Sequence, residues 1–248
     1  MQLCHYMYLI FFFFIRMAVS LPYGARPIEL LYEQIARNPE FGIVGFAGDS
    51  HVTRVAGRCI KLFEEPQSKG RKSFRYTNAI LSKGGLNCEG WFNMFYSSLL
   101  DSQTNVVIML IGGNDLDTQG TNHVDVLNRQ IKLFNQITAI PMIVYLCELP
   151  ARFSVRTPGL TVDQYKSERK KLVSKQIDIF KNRLIQLPSQ FFNIDNFQKQ
   201  KNERRQCDEY VHLKDDFYDY LATAIVQHIT VDFTNRKSPP LQEKISIV

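Results

Sequence analysis

Residues 106–116 read Val-Val-Ile-Met-Leu-Ile-Gly-Gly-Asn-Asp-Leu, and this stretch decides the fold class. Val106 to Ile111 are apolar and rich in β-branching, with no polar residue alternating between them. A strand with one wet face would alternate; one that does not is buried on both faces, as in a parallel sheet covered by helices. The run stops at Gly112-Gly113, followed by the turn-forming Asn114 and Asp115.

Working outward, the same grammar recurs. Phe41 to Ala47 is a short apolar run ending in Gly48-Asp49-Ser50. Tyr76 to Leu81 is a second strand, closed by Gly84-Gly85, and Pro141 to Leu146 is a further one containing no charge. Phe191 to Ile194 completes an expected set of five. Between them lie segments of helical period: Ile28, Leu31 and Ile35, stopped by Asn38-Pro39; Trp91 to Leu100; Val124, Leu127, Ile131 and Phe134; and Phe217, Leu221 and Ile225 within Asp215 to Ile229. A loop from Pro150 to Thr161 leads into a long basic segment with Val173, Ile177, Phe180 and Leu184 at helical spacing. Strands alternating with amphipathic helices predict an α/β protein, a three-layer α/β/α sandwich around a five-stranded parallel sheet. Ligands then bind beyond the carboxyl ends of the strands.

The bulk properties agree with one domain. The chain has 248 residues, 45% hydrophobic and 22% charged, which excludes wholesale disorder. We expect the domain to span residues 21–232, with a loose tail over 233–248 carrying Pro239-Pro240. Residues 1–20 contain the apolar run Tyr6 to Ile15. They read either as a signal segment, with Ala18 and Ser20 before a cleavage point, or as an extension upstream of a start at Met17. The first reading makes the protein secreted or membrane-associated, the second cytoplasmic; membrane contact is expected only if the segment is retained.

The net charge is +6 and the pI about 9.0. The positive charge concentrates at Lys166, Arg169, Lys170, Lys171, Lys175, Lys181 and Arg183. These alternate with apolar positions of helical period and lack interleaved aromatics, so they read as a solvated helix face rather than a nucleic-acid surface. The five cysteines show no zinc spacing, and Cys147 lies inside an apolar strand. No cofactor or metal is expected.

The glycine-marked strand ends carry the chemistry. Ser50 is a candidate nucleophile, and a serine hydroxyl needs a base. Of the five histidines, His5 is in the leader, His51 follows the serine directly, His123 opens a helix and His228 lies late in another. His212 stands just before the last helix, with Glu209 and Asp208 three and four residues upstream. Either carboxylate could orient its imidazole. A backbone N–H at Gly85 or Gly84 and the side-chain amide of Asn114 would serve as donors to an oxyanion. Asp49 and Asp115 read as braces that bond backbone N–H groups of their loops.

Taken together, Gly48-Asp49-Ser50, Ser82-Lys83-Gly84-Gly85, Val107 to Leu116 and Glu209 to His212 resemble the sequence blocks of the SGNH (GDSL-like) hydrolase superfamily, in order, over about residues 40 to 230. The resemblance implies a flavodoxin-like SGNH hydrolase fold and a serine esterase acting on acyl or acetyl esters of small molecules, glycans or lipids; the alternative, which Glu209 favours, is a catalytically weak or inactive SGNH-fold binding module associated with a virus or mobile element. It also implies roles: Ser50 as nucleophile, His212 as base, Glu209 as triad acid, and Ser50, Gly85 and Asn114 as the oxyanion hole. Glu209 stands where the family has Asp, and His51 where the GDSL name has Leu. The G-x-S-x-G motif of the α/β-hydrolases is absent, since Val52 occupies its last position.

Overall fold

A computed structural model describes residues 27–64, 74–152, 154–187, 207–208, 212–213 and 215–235. Helix α1 (Pro27–Arg37) and a 3-10 turn (Pro39–Phe41) precede strand β1 (Ile43–Gly48), which runs into α2 (Ser50–Glu64). Then follow β2 (Arg75–Ser82), α3 (Cys88–Asp101), β3 (Val106–Leu110), the one-turn α4 (Gly113–Leu116), α5 (His123–Thr138) and β4 (Ile143–Cys147). The remainder is α6 (Val162–Phe180), a 3-10 turn (Lys181–Arg183), β5 (Leu184–Ile185), the short pair β6 (Cys207–Asp208) and β7 (His212–Leu213), and α7 (Asp215–Asn235).

The five main strands pair in parallel in the order β2-β1-β3-β4-β5. This is the flavodoxin-like order, whose direction of winding reverses between β1 and β3. The unbroken apolar run of β3 has a simple cause. Val106, Ile108 and Leu110 enter a core with α1, α2 and α7, including Leu31, Val55, Cys59, Leu221 and Ile225. Val107, Met109 and Ile111 point the other way, into a core with Trp91 of α3, Leu127 and Ile131 of α5 and Leu172 of α6. Each strand residue is buried on one face or the other, so no position is left for a polar side chain.

Helix starts follow local chemistry. Asn122 caps α5 and Thr161 caps α6, each in a reciprocal capping box, with Asp125 and Gln164 respectively. The loop expected from Pro150 to Thr161 thus ends where the side chain of its last residue accepts the Gln164 N–H in the first turn of α6. The N-terminus of α5 is tied to α6 by Glu168, which accepts from the backbone N–H of His123 at 2.9 Å, lies 2.6 Å from its Nδ1, and takes Lys171 Nζ at 2.6 Å. Burial works against the charged form of Glu168, but bonds from Lys171 and His123 outweigh it and hold its pKa at about 2, below the ordinary 4.5. The unfolded chain takes up this proton below 4.5, whereas the folded one resists until about 2, so the stabilisation is complete above 4.5 and lost as pH falls to 2. Glu168→Gln is expected to cost roughly 1 kcal/mol at pH 7 and to flatten the acid limb of the stability curve in that window. Urea midpoints from pH 7 to 2.5 would check this; parallel acid limbs in wild type and variant would refute it.

Several expectations need correction or placement. The sheet's described fifth strand is Leu184–Ile185, paired with Leu146 and Cys147, whereas Phe191 to Ile194 lies outside the described residues. Leu184 therefore does not continue the basic helix, which ends at Phe180 because Lys181 takes a positive φ of 48°. The buried face of that helix is Tyr165, Arg169, Leu172, Gln176 and Phe180, while Ile177 is exposed. Two polar residues hold this face: Arg169 pairs with buried Glu148 at 2.9 Å, and Gln176 donates to Gln130 at 2.8 Å. The last helix runs through Asn235, past the expected boundary at 232. The leader 1–20 and residues 236–248 lie outside the described residues, as does Glu209. No described helix is long and apolar enough to cross a membrane.

Candidate active site

In-register pairing sets Gly48, Ser82 and Leu110 side by side, so β1, β2 and β3 end flush. The crevice predicted for this strand order opens where β1 and β3 diverge, beyond Gly48 and Leu110. Three glycine-marked segments converge on it.

The first is Gly48-Asp49-Ser50. Gly48 adopts φ +152°, and a Cβ there would stand 2.0 Å from the carbonyl oxygen of Leu110. This close approach lets Asp49 donate its N–H to Leu110 O at 3.3 Å and delivers Ser50 as the first residue of α2. A helix N-terminus presents free N–H groups and a positive dipole end, favourable to an anion forming at the serine. Asp49 is fully buried, and its Oδ1 accepts the His51 N–H at 3.0 Å, the bracing role expected of it. Burial raises its pKa from 3.8 to about 6, against the His51 bond and the positive field of Arg152.

The second is the turn after β2. Lys83 N–H reaches Gly48 O at 3.4 Å, and Thr53 Oγ1 lies 2.8 Å from Ser82 Oγ, joining this turn to the serine helix. A Cβ on Gly84 would lie 3.8 Å from Ser50 Cβ, while Gly85, at φ +80°, faces open space. The Gly84–Gly85 turn is therefore the wall beside the serine, with no side chain to obstruct an approaching substrate.

The third is the one-turn α4. Asn114 Nδ2 donates to Leu86 O at 2.8 Å, just past the glycine turn, so the third segment is bonded to the second. Its Oδ1 accepts from Arg152 Nη2 at 2.9 Å. Asp115 Oδ2 accepts the Cys88 N–H at 2.9 Å and so anchors the start of α3, again the brace expected from the sequence.

The histidines separate by what holds them. His51 is buried, its Nδ1 2.8 Å from Tyr218 Oη on α7. His123 is engaged by Glu168, and His228 Nε2 lies 3.0 Å from Asn182 O. His212 lies in β7, with Asp208 directly opposite it in the antiparallel pair with β6. It precedes α7, which runs alongside the serine helix: His51 meets Tyr218, Arg58 bonds Asp215 and Asp219 at 2.6 Å each, and Cys59 reaches Ala222 O. The N-terminal half of α7 therefore packs along α2, and His212 stands three residues before α7 begins.

Arg152, Asp117 and Tyr165 were not among the residues expected at the site. Arg152 is buried in the loop after β4, paired with Asp117 at 2.7 Å and set over the Tyr165 ring at 5.5 Å. An arginine within the apolar run Leu149-Pro150-Ala151-Arg152-Phe153, just past a strand's carboxyl end, was the available signal. Among the described residues, no cluster of His, Cys, Asp and Glu is arranged to hold a metal ion.

No protein-family model matches the chain. No curated protein matches it. Solved structures match over most of its length. A lipase/acylhydrolase from Enterococcus faecalis aligns over 82% of this chain and 100% of its own, with a TM-score of 0.57 at 14% identity. The acetyl xylan esterase AlAXEase aligns over 75% of this chain and 99% of its own, with a TM-score of 0.55 at 19% identity. The chain has the SGNH hydrolase fold. A two-domain esterase active on acetylated mannans extends the likeness, covering 87% of this chain and 56% of its own at a TM-score of 0.53 and 13% identity. The segments that carry Ser50, Gly84–Gly85 and Asn114 are the three that meet at the crevice.

Proposed function

We propose that the protein is a serine ester hydrolase of the SGNH type. The observation that carries the reading is the convergence of three segments at the point where the sheet reverses its winding: Ser50 heads a helix, the Gly84–Gly85 turn stands against it, and Asn114 is bonded into the same wall. Such a convergence is suited to acyl transfer, which needs a nucleophile and donors aimed at one oxygen.

Ser50 Oγ attacks the ester carbonyl while His212 takes its proton, the imidazole oriented by Glu209 or Asp208. The tetrahedral oxyanion is met by the N–H of Ser50, a backbone N–H of the glycine turn at Gly85, and the amide of Asn114. His212 then protonates the leaving alcohol. Water, activated by the same histidine, attacks the acyl-enzyme and releases the acid, with no cofactor in the cycle. The names of the structural neighbours, an acetyl xylan esterase and an esterase active on acetylated mannans, make acetylated glycans the first substrates to try.

The test is a fluorophosphonate label, which traps an activated serine covalently, followed by peptide mass mapping, together with hydrolysis of p-nitrophenyl acetate and butyrate. Labelling confined to Ser50 and turnover that declines in step with it are expected. Folded protein that neither labels nor hydrolyses would make the domain a binding module instead.

A further inference from the structure

The amide of Asn114 has two orientations that look alike in shape and differ in chemistry. In one, Nδ2 faces the serine side and donates; in the other, Oδ1 does and would repel an oxyanion. The chain decides between them with a buried cation. Arg152 Nη2 donates to Asn114 Oδ1 at 2.9 Å, and Asn114 Nδ2 donates to Leu86 O at 2.8 Å. Flipping the amide would set N–H against N–H on one side and oxygen against oxygen on the other. An amide nitrogen carries two N–H groups, and Leu86 takes one. The second is left for the reacting oxygen.

Arg152 is itself held in place. Only 2% of it is exposed, Asp117 Oδ2 takes its Nη1 at 2.7 Å, and the Tyr165 ring lies beneath the guanidinium. Asp117 is anchored in turn by the backbone N–H groups of Arg156 and Thr157, at 3.1 and 3.3 Å. A guanidinium on the carbonyl end of an amide also polarises it and strengthens its N–H as a donor. We infer that Arg152 is a positioning residue that acts through Asn114, orienting and polarising the amide that meets the oxyanion, an inference that rests on the ester-hydrolase reading above.

Two measurements test it. The first needs no turnover: the side-chain ¹⁵N amide pair of Asn114, assigned by its disappearance in Asn114→Ala, is expected to shift and broaden in Arg152→Met. An unchanged pair would overturn the inference. The second is a double-mutant cycle on p-nitrophenyl acetate. Arg152→Met is expected to lower kcat by about 10²-fold, the usual penalty for a misplaced catalytic group, with KM within about threefold. Arg152→Lys, which keeps the charge but not the fork, should fall between. In the Asn114→Ala background Arg152→Met should cost less than about threefold, because the group it acts through is gone. An equal loss in both backgrounds would overturn the inference and make Arg152 a general structural residue. Should Arg152→Met not fold, with Asp117 left buried and unpaired, Arg152→Met/Asp117→Asn removes both charges and takes its place. Absence of Ser50-dependent turnover in the wild type would sink the esterase reading, while the amide spectra still decide the role of Arg152.

Discussion

Ser50→Ala is expected to lower kcat for p-nitrophenyl ester hydrolysis by about 10⁶-fold while the protein stays folded, because the step it removes has no substitute. The serine is partly buried at the head of α2, so trimming its hydroxyl leaves the helix and both cores in place. What survives is the contribution of binding and the oxyanion donors, about 10³–10⁴ over water in enzymes of this chemistry. That residue of activity separates Ser50 from Asn114, whose loss is expected to cost only about 10²–10³. It also gives a way to place the base. A nucleophile and its base act as one unit, so His212→Ala alone should cost nearly as much as Ser50→Ala, and the double variant little more than either. Additive losses would remove His212 from the role of base. Retention of more than a tenth of wild-type kcat in Ser50→Ala would remove the serine itself.

The parts legible in the sequence are those whose physical cause is local or periodic. β3 could be read because a two-sided core leaves six consecutive positions apolar, and the Ser50 and Asn114 turns because glycine marks a backbone that other residues adopt poorly. The fifth strand could not be read, since Leu184 and Ile185 are too few to form a pattern and Leu184 continues a helical period by chance. The buried face of the basic helix was misjudged for a different reason. Periodicity counts apolar residues, but Arg169 and Gln176 are buried through partners on other elements, Glu148 and Gln130, which no local rule links to them. The same holds for Arg152, whose partners Asp117 and Asn114 lie 35 and 38 residues away. Ser50, the Gly84–Gly85 turn and Asn114 carry local glycine signals, whereas the groups that hold Asn114 are joined to it only by the fold.

Two glycines on either side of Ser50 make opposite predictions from the same substitution. Gly48→Ala places a methyl group 2.0 Å from Leu110 O and 2.6 Å from Val52 Cγ2, in a backbone conformation with φ +152°. Leu110 O cannot move aside, since it is part of the paired β3 backbone and accepts the Asp49 N–H. Backbone strain and overpacking each cost about 1–3 kcal/mol, so the variant should lose roughly 2–6 kcal/mol, a large share of the 5–15 that a domain possesses. Gly57, two turns into α2, is exposed, and a Cβ there meets nothing within 4 Å. Gly57→Ala should therefore stabilise the protein by about 0.5–1 kcal/mol through helix propensity alone. Urea midpoints at constant m-value separate the two. A Gly48→Ala midpoint equal to wild type would mean that β1 and β3 are not packed as closely as described, and the placement of Ser50 would fall with it. A lower midpoint for Gly48→Ala beside a higher one for Gly57→Ala would tie the serine's position to the flush ends of β1 and β3 rather than to the helix it heads.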